Sequence, residues 1–178
     1  MGGVVVPKII ENVREQLLEE AKRQIRENGY SKTTIRSVAG ACRLGVGTVY
    51  NYFESKDMLI ASFMLEDWME CLGEMQKAST SEPEQFVAHF YEALQGFIQK
   101  HQYLFQDADA AKSFAGAFTV RHKQLIDQLA SLLQPICENA EGDKAFLAEF
   151  IAEALLTWVV AGRPIEDVMP LILKLLKP

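Results

Sequence analysis

The stretch from Phe146 to Ala161 constrains the fold more than any other part of the chain. Its only polar side chains are Glu149, Glu153 and Thr157, which are spaced i, i+4 and i+8 and therefore form one narrow stripe on a helix. A helix that is apolar around most of its circumference must be covered on more than one side. One side can pack on the helix's own domain, and we expect the other side to contact a partner.

A second strongly apolar helix is predicted from Ile165 to Leu176, with Pro170 inside it. Two such helices at the end of a chain are a candidate four-helix interface between two copies of a protein. We therefore predict a homodimer that forms through the last two helices. The residues expected in the interface are apolar and belong to these helices: Phe150, Leu155, Val159, Leu171 and Leu175.

Helical spacing of apolar residues continues through nearly all of the remaining chain, and the alternation typical of strands is missing. The first helix is expected to begin near Pro7, because proline is favoured in a first helical turn, and to end at Gly29. The other predicted helices are Thr33–Cys42 with Thr33 as its cap, Val46–Tyr52, Lys56 to about Lys77, one that starts at the capping-box pattern of Ser81 and Glu84, 103–115, 119–139 and 143–161.

The chain contains three cysteines, Cys42, Cys71 and Cys137, which are far apart and odd in number. This usage argues against a disulfide framework and suits a reducing cytosol. The spacings of His and Cys that are typical of metal sites are missing, so we expect no metal and no cofactor. The sequence shows neither a secretory signal nor an apolar run long enough to span a membrane, and we expect a cytoplasmic protein.

Charge is distributed unevenly along the chain. The net charge of −6 is unfavourable for a protein that binds nucleic acid, but residues 1–60 carry nine Lys and Arg against seven Asp and Glu, whereas the rest carries nine against seventeen. A mildly basic head is thus predicted on an acidic body. The asymmetry would orient the head toward phosphate groups, although on its own it is a weak indication.

Residues 33–59, TTIRSVAGACRLGVGTVYNYFESKDML, have the physical features of a helix-turn-helix. A capped helix is followed by a glycine-containing turn and by a second helix of two turns, Val46–Tyr52. A helix this short is unstable alone, so we expect Leu44, Val49 and Phe53 to hold it. Its outward face would carry small residues at the N-terminal end, where a helix can approach base edges in the major groove of DNA.

The same segment resembles the N-terminal domain of the TetR family of transcriptional regulators. The resemblance rests on a Thr-led helix, a Gly-Thr-hydrophobic-Tyr recognition helix and a Tyr-Phe pair followed by Ser-Lys-Asp, as in TTI…VA…GVGTVYNYFESKDML. It covers roughly Gln16 to Met64, and the remaining chain matches the family only in helical character and length. The resemblance implies an all-α fold of about nine helices, in which residues 1–55 form a three-helix helix-turn-helix domain and residues 56–178 form a helical effector-binding and dimerisation domain.

The resemblance also implies a function. Members of this family pair through C-terminal helices and bind a palindromic operator, and a small molecule in the C-terminal domain changes the spacing of the two DNA-binding heads. We therefore expect a ligand-responsive transcriptional regulator of double-stranded operator DNA, namely a repressor that is released by a small apolar or amphipathic effector. It is not expected to be an enzyme or to contain catalytic residues.

By position, the resemblance assigns DNA contacts to eight residues: Thr33 and Arg36 to phosphate or groove, Val46, Gly47 and Thr48 to bases, and Tyr50, Asn51 and Lys56 to phosphate. Lys56 lies in the first turn of the next helix, where backbone N–H groups and the helix dipole favour an anion. Arg43 departs from the family pattern, because it occupies a turn position that is often glycine. A left-handed backbone at Arg43 would be strained.

Aromatic residues of the C-terminal domain are candidates for an effector pocket, because such pockets are mostly apolar with a few polar anchors. Any one of them is more often part of an ordinary core. The candidates are Trp68, Phe90, Phe97, Tyr103, Phe114, Phe118 and Trp158.

Two other functions remain open at this point. A helical small-molecule-binding protein or enzyme with a vestigial helix-turn-helix would need an acid-base or nucleophile constellation in the C-terminal domain, and the sequence shows none. A DNA-binding scaffold or activator without a small ligand would have a packed C-terminal domain with no cavity.

Overall fold

The computed structural model describes residues 12–177, without the side chains of residues 115–120. The predicted helix start near Pro7 lies outside these residues. The described chain is all-α, as predicted, with nine α-helices, one 3₁₀ turn and no strand. The helices are α1 (Val13–Asn28), α2 (Ile35–Ala41), α3 (Val46–Tyr50), α4 (Lys56–Met75), α5 (Pro83–Lys100), α6 (Gln102–Phe105), α7 (Ala108–Cys137), α8 (Lys144–Val160) and α9 (Met169–Leu175), and the 3₁₀ turn is Ile165–Asp167.

The chain separates into two compact units, which divide within α4 between Phe63 and Met64. We call them the N-terminal unit and the C-terminal unit. The assignment of DNA binding to residues 1–55 and of effector binding to residues 56–178 stays a prediction, because the division is one of packing and not of activity.

The N-terminal unit is built on the apolar side of α1. Residues one and two turns apart on this helix, Leu17, Ala21 and Ile25, are fully or almost fully buried, as expected for an amphipathic helix on a core. Short segments with one to three buried residues each complete the core: Ile35, Val38 and Ala39 of α2, Val49 of α3, Phe53, and Leu59, Ile60 and Phe63 of α4.

The core of the C-terminal unit lies between α5, α7, α8 and α9. Large apolar side chains from each helix are buried there: Phe86, Phe90 and Leu94 of α5, Leu129 and Leu133 of α7, Ile151 and Leu155 of α8, and Ile172 of α9. Asp143 fixes the start of α8, because its Oδ1 accepts hydrogen bonds from the backbone N–H groups of Ala145 and Phe146.

Two of the predicted interface residues belong to this core. Leu155 is fully buried and Val159 is 3% exposed, so neither has surface to offer a second copy, and the prediction was wrong for both. The reason is that α8 is apolar on two sides, and the sequence does not say which side faces inward. Phe150, Leu171 and Leu175 are exposed, as an interface would require.

The chain between residues 102 and 137 differs from the sequence prediction. Instead of two helices there is the short α6 and then a single helix, α7, of 30 residues. The start signal that decides this is Asp107, whose Oδ1 accepts hydrogen bonds from the N–H groups of Asp109 and Ala110. Pro135 lies inside α7, two residues before its end, where a proline disfavours continuation of the helix.

Two other helix starts also differ from prediction. Pro170 lies in the first turn of α9 and not in a helix interior, because a first-turn residue needs no hydrogen-bonded N–H group. At the start of α5 the capping box predicted from Ser81 and Glu84 does not form: Glu82 is the N-cap residue and makes no side-chain capping bond.

Among the described residues, no helix is long and apolar enough to cross a bilayer.

The buried thiol of Cys71 allows a test of this packing. Burial, together with the nearby carboxylates of Glu70 and Glu74, raises the pKa of Cys71 to about 11. A raised thiol pKa lowers the thiolate fraction at neutral pH, and the thiolate is the reactive form. We expect alkylation of the folded chain by iodoacetamide at pH 8, followed by peptide mass spectrometry, to label the partly exposed Cys42 first. Labelling of Cys71 at the rate of Cys42 would contradict the packing, and labelling in urea is the control.

Candidate nucleic-acid interface

Helix α2 is fixed at its start by a reciprocal cap. The backbone N–H of Ser37 donates to Thr34 Oγ1 at 3.0 Å, and the backbone N–H of Thr34 donates to Ser37 Oγ at 3.0 Å. The spacing is that of a capping box with serine in the last position. Ser37 Oγ also lies 2.6 Å from Oε1 of the buried Gln24, which ties α2 to α1.

Thr33 therefore does not have the two roles predicted for it. It is 1% exposed, and its hydroxyl donates to the backbone carbonyl of Gly29 at 3.0 Å. The cap of α2 is the next residue, Thr34. Because the Thr33 side chain is buried inside the unit, it offers no surface to a phosphate group, and the predicted contact was wrong for this residue.

The turn after α2 has a left-handed residue, as the position of Arg43 suggested. The φ angle of Arg43 is 57°. The N–H of Arg43 donates to Gly40 O at 3.1 Å, and the N–H of Leu44 donates to Ala39 O at 2.9 Å. These two bonds form the Schellman motif that ends a helix, in which the left-handed position favours glycine. Arg43 therefore carries backbone strain and presents an exposed cation.

Helix α3 is five residues long, shorter than the predicted Val46–Tyr52. A helix of this length has no stability of its own in water. It is held by Val49, which is fully buried, and by Phe53, which is 4% exposed directly after it. The predicted anchors Val49 and Phe53 thus lie in the core, whereas Leu44 is only half-buried.

The side of α3 away from Val49 is open to solvent. Tyr50 is 52% exposed, Gly47 and Asn51 are exposed, and Val46 and Thr48 are half-buried. A Cβ atom added at Gly47 would meet no heavy atom within 4 Å. The unit's own packing therefore does not require glycine at this position, and the absence of a side chain leaves the backbone of α3 accessible from outside.

Lys56 supports the chain between α1 and α2. Its Nζ donates to the backbone carbonyl of Tyr30 at 2.8 Å and lies 3.5 Å from the centre of the Tyr30 ring. The Tyr30 hydroxyl in turn donates to Asp57 Oδ1 at 2.5 Å. Lys56 is half-buried at the start of α4, where Ser55 Oγ accepts the N–H of Met58 at 3.1 Å. Its contact with phosphate stays a prediction, and these bonds give it a structural role as well.

The N-terminal unit carries exposed arginines both on α1, where Arg23 is paired with carboxylates, and in the segment of α2 and the turn after it. Arg23 on α1 is bound to Glu20 and Glu27, and its hydrogen bond holds the pKa of Glu20 below its usual value. Arg36 in the first turn of α2 and Arg43 in the turn after α2 are exposed. Arg36, Arg43 and the open side of α3 thus all belong to the segment formed by α2, the turn and α3.

Sequence reasoning missed the supporting contacts of this surface. The Thr34–Ser37 cap could have been found from its T-x-x-S spacing. The Gln24–Ser37 bond and the contact of Lys56 with Tyr30 join residues far apart in sequence, so no local sequence pattern predicts them.

Four aromatic side chains form a row in the C-terminal unit. The rings of Trp68 and Phe97 meet edge to face at 5.2 Å, Phe97 lies 4.9 Å from His101, and His101 lies 6.2 Å from Tyr103. Three of these are predicted pocket residues. The row also includes a buried polar contact that the sequence did not suggest, in which His101 Nε2 is 3.0 Å from Asp67 Oδ2.

The other predicted pocket residues are distributed differently. Phe90 is fully buried against Phe86, Phe114 is half-buried, and the side chain of Phe118 lies outside the described residues. Trp158 lines a surface groove instead, and its Nε1 donates to Pro164 O at 3.0 Å.

This groove runs between α8 and α9 and has a volume of about 350 Å³. Its lining is almost entirely apolar and includes three of the predicted interface residues, Phe150, Leu171 and Leu175. Glu153 and Thr157 are its polar members. Within the described part of the chain, no group of three or more His, Cys, Asp or Glu side chains is arranged to hold a metal ion.

Comparison with known proteins identifies the N-terminal unit. Residues 17–63 match the family described as bacterial regulatory proteins, tetR family. The chain is 35% identical over 57 residues to the HTH-type transcriptional regulator HbdR of an Aromatoleum species, covering 32% of this chain and 25% of the relative. It is 33% identical over 66 residues to the HTH-type transcriptional repressor Rv1474c of Mycobacterium tuberculosis, covering 35% of each protein. The chain thus spans about a quarter to a third of the length of these relatives.

Solved structures share the fold over most of the chain. A transcriptional regulator from Cytophaga hutchinsonii has a TM-score of 0.63 at 19% sequence identity, with 91% of this chain and 93% of that one covered. At this identity the likeness shows a shared fold and does not extend to ligands or operators. Together with the matched segment, which spans α2, the strained turn and α3, it leads to one conclusion: residues 17–63 form a domain of the type found at the N-terminus of bacterial regulatory proteins of the tetR family.

Proposed function

We propose that the protein is a dimeric, DNA-binding transcriptional regulator of the cytoplasm that represses its target genes until a small apolar or amphipathic effector releases it. It acts by binding and not by catalysis. The repressor assignment draws on the name of the Mycobacterium tuberculosis relative, which the chain matches only in the DNA-binding domain.

The observation that carries the proposal is the open side of α3. A short helix that is anchored by Val49 and has an accessible backbone at Gly47 can enter a major groove to the depth of its Cα atoms. Val46, Gly47 and Thr48 then face the base edges, and Tyr50 and Asn51 contact phosphate groups. Arg36, Arg43 and Lys56 supply cations on either side, and they make affinity depend on salt.

A dimer follows from the requirements of operator recognition and from the apolar groove of α8 and α9. One α3 helix reads only a few base pairs, and two related by a two-fold axis read a palindrome whose half-sites lie about 34–36 Å apart. Exposed Phe150, Leu171 and Leu175 provide the apolar surface that a second copy would cover.

The effector is proposed to bind in the C-terminal unit near the row formed by Trp68, Phe97 and Tyr103. Aromatic side chains suit an apolar or amphipathic molecule, and the buried Asp67–His101 pair would serve as a polar anchor. An effector that prefers the DNA-incompetent conformation by about 1–3 kcal/mol would lower operator affinity roughly 5–150-fold.

The proposal is tested by selecting binding sites from a random duplex DNA library at low salt. We expect recovery of a palindromic sequence that binds in fluorescence anisotropy, with an affinity that falls steeply as salt increases. Single-stranded DNA of the same sequence is the control. A folded dimer that enriches no sequence would contradict the proposal.

The role of Gly47 gives a second prediction. Replacing Gly47 with Ala should raise the free energy of unfolding by up to about 1 kcal/mol, because alanine is the better helix former and no atom opposes its Cβ. The same Cβ would stand between α3 and the bases, so we expect operator affinity to fall at least roughly tenfold. Urea denaturation and anisotropy measure the two effects.

The matched control for this variant is Gly96→Ala. Gly96 lies in α5 and also has no heavy atom within 4 Å of an added Cβ. It should gain stability in the same way and leave DNA binding unchanged. If Gly47→Ala binds the operator as tightly as Gly96→Ala, the open side of α3 does not face DNA.

Arg43 gives a third prediction, because it combines strain with charge. Arg43→Gly should raise the free energy of unfolding by about 1 kcal/mol, since glycine adopts a left-handed backbone without the Cβ clash. Arg43→Ala removes the same charge but keeps the strain, so it should not gain stability. We expect both variants to bind operator DNA more weakly and with a smaller salt dependence. Equal stability of the two variants would show that the turn is not strained.

A further inference from the structure

Tyr30 lies in the turn between α1 and α2, and its polar groups contact the first turn of α4. The residue is 8% exposed. Its backbone carbonyl accepts the N–H of Thr33 at 3.3 Å and the ammonium of Lys56 at 2.8 Å. Its hydroxyl donates to Asp57 Oδ1 at 2.5 Å. One buried tyrosine thus closes the turn that leads into α2 and holds two consecutive residues of α4.

The ring of Tyr30 also attracts the ammonium of Lys56. The Nζ atom lies 3.5 Å from the centre of the ring, well within the range in which an aromatic face attracts a cation. The carbonyl and the ring are both neutral, so these two contacts hold the ammonium without cancelling its charge. Arg23 on α1 differs, because its guanidinium is bound to the carboxylates of Glu20 and Glu27.

Holding a lysine in place before DNA arrives affects how strongly it can bind phosphate. A lysine side chain in water is flexible, and it loses rotamer freedom when it contacts a phosphate group. Lys56 is half-buried and already held by Tyr30 in the free protein. Its loss of freedom therefore accompanies folding and does not oppose the binding of DNA, so the same charge contributes more to affinity.

We propose that Tyr30 is a positioning residue for operator binding, which holds the ammonium of Lys56 at the place from which it contacts a phosphate group. Tyr30 is itself too buried to touch DNA, so its effect on affinity is exerted through Lys56. This inference rests on the DNA binding put forward under Proposed function. A tyrosine that only filled the core would change the stability of the protein and leave the salt dependence of DNA binding as it is.

The N-terminal unit provides a matched control for this role. Lys22 on α1 also lies over a buried ring, with its Nζ 5.6 Å from the centre of the fully buried Phe63. Its ammonium is 2.9 Å from Glu19 Oε1, so its charge is paired with a carboxylate. Removing the Phe63 ring should therefore destabilise the same unit without changing a cation that acts on DNA.

The first measurement needs no DNA. Proton–carbon NMR of lysine-labelled protein detects the ε-methylene group of Lys56, which is assigned by its loss in Lys56→Met. Because the end of this side chain lies over an aromatic face, its proton resonance should be shifted upfield in the wild type. The shift should disappear in Tyr30→Leu and remain in Tyr30→Phe, which keeps the ring and the carbonyl. An unshifted resonance in the wild type would overturn the proposal.

The second measurement is the affinity for a fluorescein-labelled duplex that carries the selected operator sequence, at about 50 to 200 mM salt. Tyr30→Leu should bind at least about fivefold more weakly at the lowest salt, and its logarithmic salt dependence should fall by about one for each protomer, as for one lost phosphate contact. Tyr30→Phe should recover most of both losses. Phe63→Leu should lower the free energy of unfolding and keep the salt dependence of the wild type.

A double variant tests whether Tyr30 acts through Lys56. Lys56→Met should lose as much affinity as Tyr30→Leu, and the two losses should not add when combined, because both changes remove the same phosphate contact. Tyr30→Met replaces Tyr30→Leu in these measurements if the leucine variant does not fold. Additive losses, or wild-type salt dependence in a folded Tyr30→Leu, would overturn the positioning role and leave DNA binding intact. A wild type that binds no duplex would overturn the proposed function and the positioning role together.

Discussion

Burial of one side chain, Val49, holds the surface on which the proposed activity depends. Helix α3 has five residues and no side-chain cap, so its position comes from the core beneath it. Val49 and Phe53 fill that core together with the buried side of α1. Because the anchoring residues lie on one side of α3, every residue on the other side can be selected for contact with a ligand instead of for packing.

In the C-terminal unit, helix α8 likewise has one side buried in the core and the other side exposed. Helix α8 buries Ile151 and Leu155 in its own unit and exposes Phe146, Phe150 and Val160 on the opposite side. The hydrophobic effect therefore acts on both sides of one helix, and only one side is satisfied within a single chain. The polar stripe of Glu149, Glu153 and Thr157 is too narrow to keep the outer side in water by itself.

Local patterns predicted the helical class, the helix-turn-helix and most helix starts, because periodicity and caps involve neighbouring residues. The predictions that were wrong concern features that depend on the packing of the folded chain and not on neighbouring residues alone. Thr33 and Thr34 are equivalent in sequence, and burial of one beside Gly29 decides which of them caps α2. Leu155 and Val159 were assigned to the wrong side of α8, because a helix that is apolar all round carries no information on which side faces inward. Asp67 and His101 are 34 positions apart in the sequence, so no local pattern could predict their contact.

The stacked rings of Phe146 and Phe150 have a consequence for the life of the chain in a cell. In the proposed dimer a second copy covers this apolar surface, so a newly synthesised protomer exposes it to chaperones, proteases and aggregation until the second copy binds. At low expression the encounter is slow and more chains are lost before assembly. The abundance of working protein should therefore rise more steeply than the rate of its synthesis.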